Sequence, residues 1–189
     1  MSKWLPVFIL ACAGVGAHAA PAAESGDDLG RFMAQRGFIG QIQNAGHQVA
    51  DKTGQLLTTA MGLIGVPYRR GGTSEETGFD CSGFVRAIYQ KTAGLTLPRL
   101  SAEQAAATEA IKKQDLKPGD LVFFNTMRRA FSHVGIYVGE GKFIHAPRTG
   151  ASVRVESMES SYWATRFNGA RRVDISNPNL MDSLGGPQS

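Results

Sequence analysis

Residues 78–89, Gly-Phe-Asp-Cys-Ser-Gly-Phe-Val-Arg-Ala-Ile-Tyr, constrain the fold more than any other stretch of the chain. They read as a turn, a helix cap and the first turns of a helix, with a thiol at the entry. Asp80 is a good N-cap, because its carboxylate accepts the unpaired N–H groups of the turn that follows. Cys81 then takes the first helical position, where those N–H groups and the positive end of the helix dipole favour a thiolate. Phe84, Val85, Ile88 and Leu95 give the apolar spacing of a helix buried along one side. A buried helix therefore aims a sulfur out of its N-terminus. A free core cysteine has the same local pattern, and the rest of the chain decides between the two.

The ends of the chain bear on that choice. Met1-Ser2-Lys3, an apolar run from Trp4 to Val15 and the small-x-small pattern Ala17-His18-Ala19 read as a secretory signal peptide over residues 1–19, cut after Ala19. The apolar run is too short for a membrane span. Ile9-Leu10-Ala11-Cys12 also fits a lipoprotein signal that would leave an acylated Cys12, but the run continues past Cys12 to the Ala17–Ala19 site, which favours the later cut. The expected location is exported, in the periplasm or cell envelope. After the cut Cys81 is the sole thiol, so no internal disulfide forms in a compartment that permits them. A lone thiol in an exported chain is a liability unless it is buried or used.

The formal charge of +4 drops by one when Lys3 leaves. Lys and Arg are scattered in short pairs, with no basic stripe interleaved with aromatics, which excludes nucleic acid as the expected partner. The 189 residues fit one compact domain with tails. Residues 20–50 read as a small-residue linker and one or two short helices; His47 lies there without a partner pattern. Asp51–Ile64 is an amphipathic helix with Leu56, Leu57, Ala60, Met61, Leu63 and Ile64 on its buried side and Gly65 at its end. Gly94 ends the Cys81 helix. Ser101 and Gln104 form a capping box that opens an Ala-rich helix to about Lys113. Strands follow at Leu121–Phe124, Ser132–Val138, Lys142–Ala146, Ala151–Val155 and Arg166–Val173, and residues 174–189 form a loose tail. Helices first and strands later, without βαβ alternation, predict an α+β domain over residues 51–173 with helices packed on a central antiparallel sheet.

Two of the histidines, His133 and His145, fall in one predicted hairpin. Alternation places His133, Gly135 and Tyr137 on one face. A two-residue turn at Glu140-Gly141 would pair Gly139 with Lys142 and leave the histidines on opposite faces. A three-residue turn would pair Val138 with Lys142 and set His145 across from Gly135, diagonal to His133 at about 7–8 Å. The expectation is therefore a three-residue turn. His133 then takes the Cys81 proton and later protonates the leaving amine, while His145 orients the His133 imidazole. Cys81, His133 and His145 could alternatively bind zinc, but neither a fourth ligand nor a ligand-spacing motif accompanies them, so no metal is expected.

With these residues in view the chain resembles the NlpC-type cell-wall cysteine peptidases, a family with a papain-like fold. The matching blocks, in order, begin with Gly65-Val66-Pro67-Tyr68-Arg69 with Gly71-Gly72, then Phe79 to Phe84. Leu97-Pro98-Arg99 with Ser101 and Gln104 follows, then Lys117 to Phe124, His133-Val134-Gly135-Ile136-Tyr137, and His145-Ala146. The likeness runs from about Leu56 to Val173. It implies a peptidoglycan hydrolase: an endopeptidase acting on stem peptides, commonly between D-glutamate and a diamino acid, without a cofactor. On the matching motifs Cys81 is the nucleophile, His133 the base and His145 the orienting residue. Tyr68 stands where a tyrosine hydroxyl could help the Cys81 N–H stabilise the oxyanion. Asp80, Ser82, Arg99 and Ser101 fall at positions around the nucleophile and along the substrate groove. Two departures stand out: Arg70 replaces an aromatic residue, and Leu100 stands where relatives specific for a free N-terminal L-alanine have an acid. The other readings are a related thiol amidase or acyltransferase, or an inactive relative that binds murein.

Overall fold

A run without proline, Phe38–Gly62, forms one continuous helix, α1, where two or more separate helices were expected on either side of Asp51. Its glycines each cost about 1 kcal/mol relative to alanine, which weakens a helix without stopping it. The computed structural model describes residues 38–126 and 128–176. The chain divides into two units, residues 1–41 and 42–189; of the first, only the opening residues of α1 are described. The expected signal peptide, Cys12 and most of the C-terminal tail lie outside the described residues. Leu56 and Ala60 of α1 and Leu63 just past its end are buried, whereas Met61 and Ile64, expected beside them, are exposed. The helix stops at Gly62, short of Gly65, and the Gly65 N–H is taken by the Val153 carbonyl at 3.0 Å.

The short strands β1 (Thr73–Ser74) and β2 (Gly78–Phe79) make a small antiparallel hairpin that leads into helix α2, Cys81–Ala93. Phe84, Val85, Ile88 and Tyr89 of α2 are buried, each worth about 1.5–3 kcal/mol of apolar transfer. The helix ends as expected at Gly94, whose N–H reaches the Gln90 carbonyl at 3.1 Å. The Tyr89 hydroxyl donates to the Gly119 carbonyl and ties α2 to the turn before the sheet.

Helix α3 is shorter than expected, Ser101–Ala106. Past it, Glu109–Ile111 is strand β3, paired with strand β8 (Phe167–Arg172), and a single 3₁₀ turn covers Lys113–Asp115. Helix propensity in this Ala-rich segment yields to a neighbouring strand that offers backbone partners. The expected capping box is also absent. Leu100 occupies the cap, its N–H bonded by Glu103 Oε2 at 3.1 Å, while Ser101 Oγ donates to the Phe131 carbonyl at 2.6 Å. The buried Gln104 amide donates to the carbonyls of Ser82 and Pro98.

The remaining strands are β4 (Leu121–Phe124), β5 (His133–Gly139), β6 (Lys142–His145), β7 (Arg154–Ser157) and β8 (Phe167–Arg172), with helix α4 (Ser161–Ala164) between the last two. They form one antiparallel sheet in the order β3-β8-β4-β5-β6-β7. This is the predicted α+β arrangement. One face, with Leu121, Phe123, Val134, Ile136 and Ile144, joins the core formed with α1 and α2. The other, with Val122, Phe124 and Phe143, packs on Met158 and Trp163. Among the described residues no helix is long and apolar enough to cross a membrane.

The β5–β6 hairpin corrects the expected turn. Gly139 pairs with Lys142, so the tip is the two-residue Glu140-Gly141 turn, both residues at positive φ (52° and 67°) as a type I′ turn requires. A β-bulge between Tyr137 and Gly139 then shifts the register, and Tyr137 pairs with Phe143 and Ile136 with Ile144. The extra residue restores the parity that the short turn alone would have lost. His145 thus shares a face with His133 by a route the alternation argument did not include.

Candidate active site

The N-terminus of α2 is built around Asp80. Its Oδ1 accepts the Gly83 N–H at 2.7 Å, as an N-cap should, and its Oδ2 accepts the Gly71 N–H at 3.0 Å. Arg99 closes the same carboxylate as a fork, with Nη1 3.0 Å from Oδ1 and Nη2 2.5 Å from Oδ2, and Nη1 also reaches Ser82 Oγ at 3.0 Å. Asp80, Ser82 and Arg99 therefore bond chiefly one another and frame the thiol. Gly83 is required by closeness: a Cβ there would lie 2.1 Å from the Gly72 carbonyl oxygen.

Cys81 is a free, partly exposed thiol on the wall of a groove of about 1120 Å³. Tyr68, Asp80, Ser82, Arg99, Ser101 and His133 line the same groove, so it gathers all but one of the residues singled out from the sequence. The exception, His145, is fully buried behind His133. The start of β5 lies at the mouth of α2, near enough for the Val134 N–H to favour the charged form of the Cys81 sulfur.

The charge state of the thiol differs from expectation. Burial, and then the Asp80 carboxylate, push Cys81 up to about 11 against the lowering effect of the Val134, Ser82 and Cys81 N–H groups. The helix terminus alone argued for a thiolate; the carboxylate that caps the same helix opposes it. Burial, with Cys81 and Asp80 next, also raises the Tyr68 phenol above its ordinary value. On the other side of the groove, burial and the facing His145 hold His133 down at about 3. Both shifts favour the neutral form, of the thiol and of the imidazole.

His133 Nε2 and His145 Nδ1 are 2.7 Å apart, with the rings nearly perpendicular at 88°. Gly135 makes the approach possible, since a Cβ on it would meet the Phe143 ring at 2.6 Å and the His145 Cβ at 3.1 Å. Because the imidazoles point at each other, they do not converge with Cys81 on a common point, and among the described residues no cluster of three or more His, Cys, Asp or Glu could hold a metal.

Two neighbours of this pair went unnoticed in the sequence. Trp163 of α4 stacks on His133, with centroids 5.4 Å apart and planes at 23°. Glu156 of β7 accepts a hydrogen bond from His145 Nε2 at 2.9 Å. Extending the strand read at Ala151–Val155 by one residue would have put Glu156 on the histidine face, opposite Phe143.

Residues 65–172 match the NlpC/P60 family. The chain belongs to that family. Its fold is the papain-like α+β domain of its solved relatives: an NlpC/P60 protein from Bacillus cereus superposes with a TM-score of 0.59 at 38% identity, over 64% of this chain and 39% of that one. The NlpC/p60 domain of the peptidoglycan hydrolase SagA gives a TM-score of 0.56 at 34% identity, over 64% of this chain and 98% of that domain. Murein DD-endopeptidase MepH of Escherichia coli is 43% identical over 143 residues, 74% of this chain and 52% of its own length. The gamma-DL-glutamyl hydrolase of Bacillus subtilis is 44% identical over 112 residues, 59% of this chain and 27% of its own. The match thus spans about half the length of the first of these curated relatives and less of the second. Within this NlpC/P60 domain, the two departures lie on the groove: Arg70 is exposed on its wall, and Leu100 is 58% exposed beside Ser101.

Proposed function

We propose that the chain is an exported cysteine endopeptidase of the bacterial envelope that cleaves stem peptides of peptidoglycan. The observation that carries the reading is the meeting of the α2 thiol and His133 on one groove, with His145 bonded to His133 from behind. As substrate enters and displaces water, His133 takes the Cys81 proton and the sulfur attacks the scissile carbonyl. The Cys81 N–H and the Tyr68 hydroxyl, both on the groove, donate to the developing oxyanion. The proton on His133 then passes to the leaving amine, a thioester remains on Cys81, and water hydrolyses it by the same base. His145 holds the imidazole throughout. No cofactor takes part in this sequence.

The scissile bond has two candidates. The matching motifs imply the bond between D-glutamate and a diamino acid. MepH, similar over three quarters of this chain, is named a murein DD-endopeptidase, which favours a bond between two D-configured residues. With Leu100 at the groove there is no carboxylate at that position to hold a free ammonium, so the groove accepts peptides still joined to glycan. Digestion of purified sacculi and of free stem peptides by the mature chain and by Cys81→Ala, read by mass spectrometry, tests all of this. Wild-type-only release of fragments ending in D-glutamate supports the first bond, and wild-type-only opening of cross-links the second. Absence of products from both proteins, with both pelleting with sacculi, would replace the enzyme by a murein binder. A strict preference for free peptides would remove the glycan-linked substrate.

A further inference from the structure

The buried end of the imidazole pair is closed by a carboxylate surrounded only by donors. Glu156 Oε2 lies 2.9 Å from His145 Nε2 and 2.7 Å from the Trp163 indole nitrogen. Its Oε1 lies 2.9 Å from Arg154 Nε and 2.8 Å from Arg154 Nη2. Indole and guanidinium nitrogens donate and do not accept, so both oxygens of residue 156 must be acceptors. The bond to His145 first, with the Trp163 and Arg154 bonds after it, holds Glu156 down at about 2 against partial burial, and it is ionised at any ordinary pH.

The protons on the two histidines follow from that. An ionised carboxylate has nothing to donate, so the proton of the Glu156–His145 bond sits on His145 Nε2. Burial keeps His145 below its ordinary pKa and neutral, which leaves its Nδ1 a bare acceptor. The proton in the 2.7 Å His133–His145 contact must then sit on His133 Nε2. Neutral His133 is left with its lone pair on Nδ1, the nitrogen not engaged by His145. We propose that Glu156 is a positioning residue that sets the tautomers of both histidines through this chain of bonds, so that His133 presents a basic Nδ1 to Cys81. With the reverse proton order, Nδ1 of His133 would carry a hydrogen and could take none from the thiol.

When the Cys81 proton arrives at Nδ1, His133 becomes an imidazolium that still donates from Nε2 to His145; Glu156 stays deprotonated, with its charge one ring away. The other groups facing this chain are Arg154 beside Glu156 on β7, and Cys81 and Asp80 at the mouth of α2. Trp163 packs against His133 and contributes an N–H to Glu156 without adding charge.

The inference rests on reading Cys81, His133 and His145 as the catalytic centre, but its first test needs no substrate. In the 15N-labelled full chain at neutral pH, long-range proton–nitrogen correlations should show both histidines protonated at Nε2 and bare at Nδ1. Glu156→Gln cannot satisfy the site, because its amide must turn an NH2 toward either Arg154 or the indole. It should bring up the His133 Nδ1–H form and lower kcat on sacculi by about a hundredfold, with KM little changed. Glu156→Asp, which keeps the charge, should recover part of the loss. A proton on His133 Nδ1 in the wild type overturns the proposal, as does a folded Glu156→Gln with wild-type tautomers and kcat. Should Glu156→Gln fail to fold, the wild-type spectrum decides alone. If the tautomers are as stated and shift in the variant while no murein is cut, the positioning role stands and the proposed activity falls.

Discussion

The two walls of the groove are held in different ways. The thiol wall is local: the Asp80 carboxylate bonds Gly71, Gly83 and Arg99, all within 19 residues of it, and Cys81 itself remains partly exposed. The imidazole wall is assembled from β5, β6, β7 and α4, with His133 and His145 buried and Phe124, Phe143 and Trp163 packed around them. The first is a helix cap with its accessories, and its parts keep their places through short-range bonds. The second exists only while three strands hold their register. Local construction tolerates exposure, and distant construction is protected by burial.

The largest expected effect tests the rigidity of the thiol wall. Gly83→Ala drives a methyl group to 2.1 Å from the Gly72 carbonyl, which is backbone and cannot swing away. It should lower stability by about 2–3 kcal/mol in denaturant unfolding; wild-type stability would show this wall to be soft, and the contrast with the buried side would disappear. Next comes the charge on the sulfur. A thiol pushed up to about 11 is protonated through neutral pH, so its alkylation by iodoacetamide should climb about tenfold per pH unit between 7 and 9. A rate already level at pH 6 would mean that the two walls share an ion pair at rest. The smallest effect probes the imidazole wall. Trp163→Phe keeps an aromatic ring over His133 but removes the donor to Glu156. It should cost about 1 kcal/mol of stability and lower kcat a few-fold; a loss as large as that of His145→Ala would make the indole N–H central to the site.

The same contrast explains what could be read from the sequence. Asp80, Cys81 and Gly94 announce a capped helix within fifteen residues of chain, and the structure has that helix. The α+β arrangement and strands β4, β5, β6 and β8 were legible because alternation and glycine turns are local signals. Strand β3 was not, because Glu109–Ile111 becomes a strand only through its pairing with β8. Ser101 and Gln104 had the spacing of a capping box, but Phe131, Ser82 and Pro98 compete for their side chains from elsewhere in the fold. Glu156 and Trp163 carry no motif, and their meeting with His145 depends on the β6–β7 register and the placement of α4. The charge of the sulfur is set by the same overlap: the cap that makes Cys81 visible also places an anion beside it.

The bulge at Val138 has a consequence for how the gene can change. The ladder pairs Gly139 with Lys142 and Tyr137 with Phe143, which leaves Val138 as the one residue without an opposite number. A chain lacking Val138 would close the same turn, keep Tyr137 opposite Phe143 and bring His145 to the same place. Loss of any residue between His133 and Tyr137 would move the histidines past each other by one position. At this single point hairpin length can vary by a codon without moving the histidines, at the cost of the Val138 contact with the core, and it is fixed on the inward side.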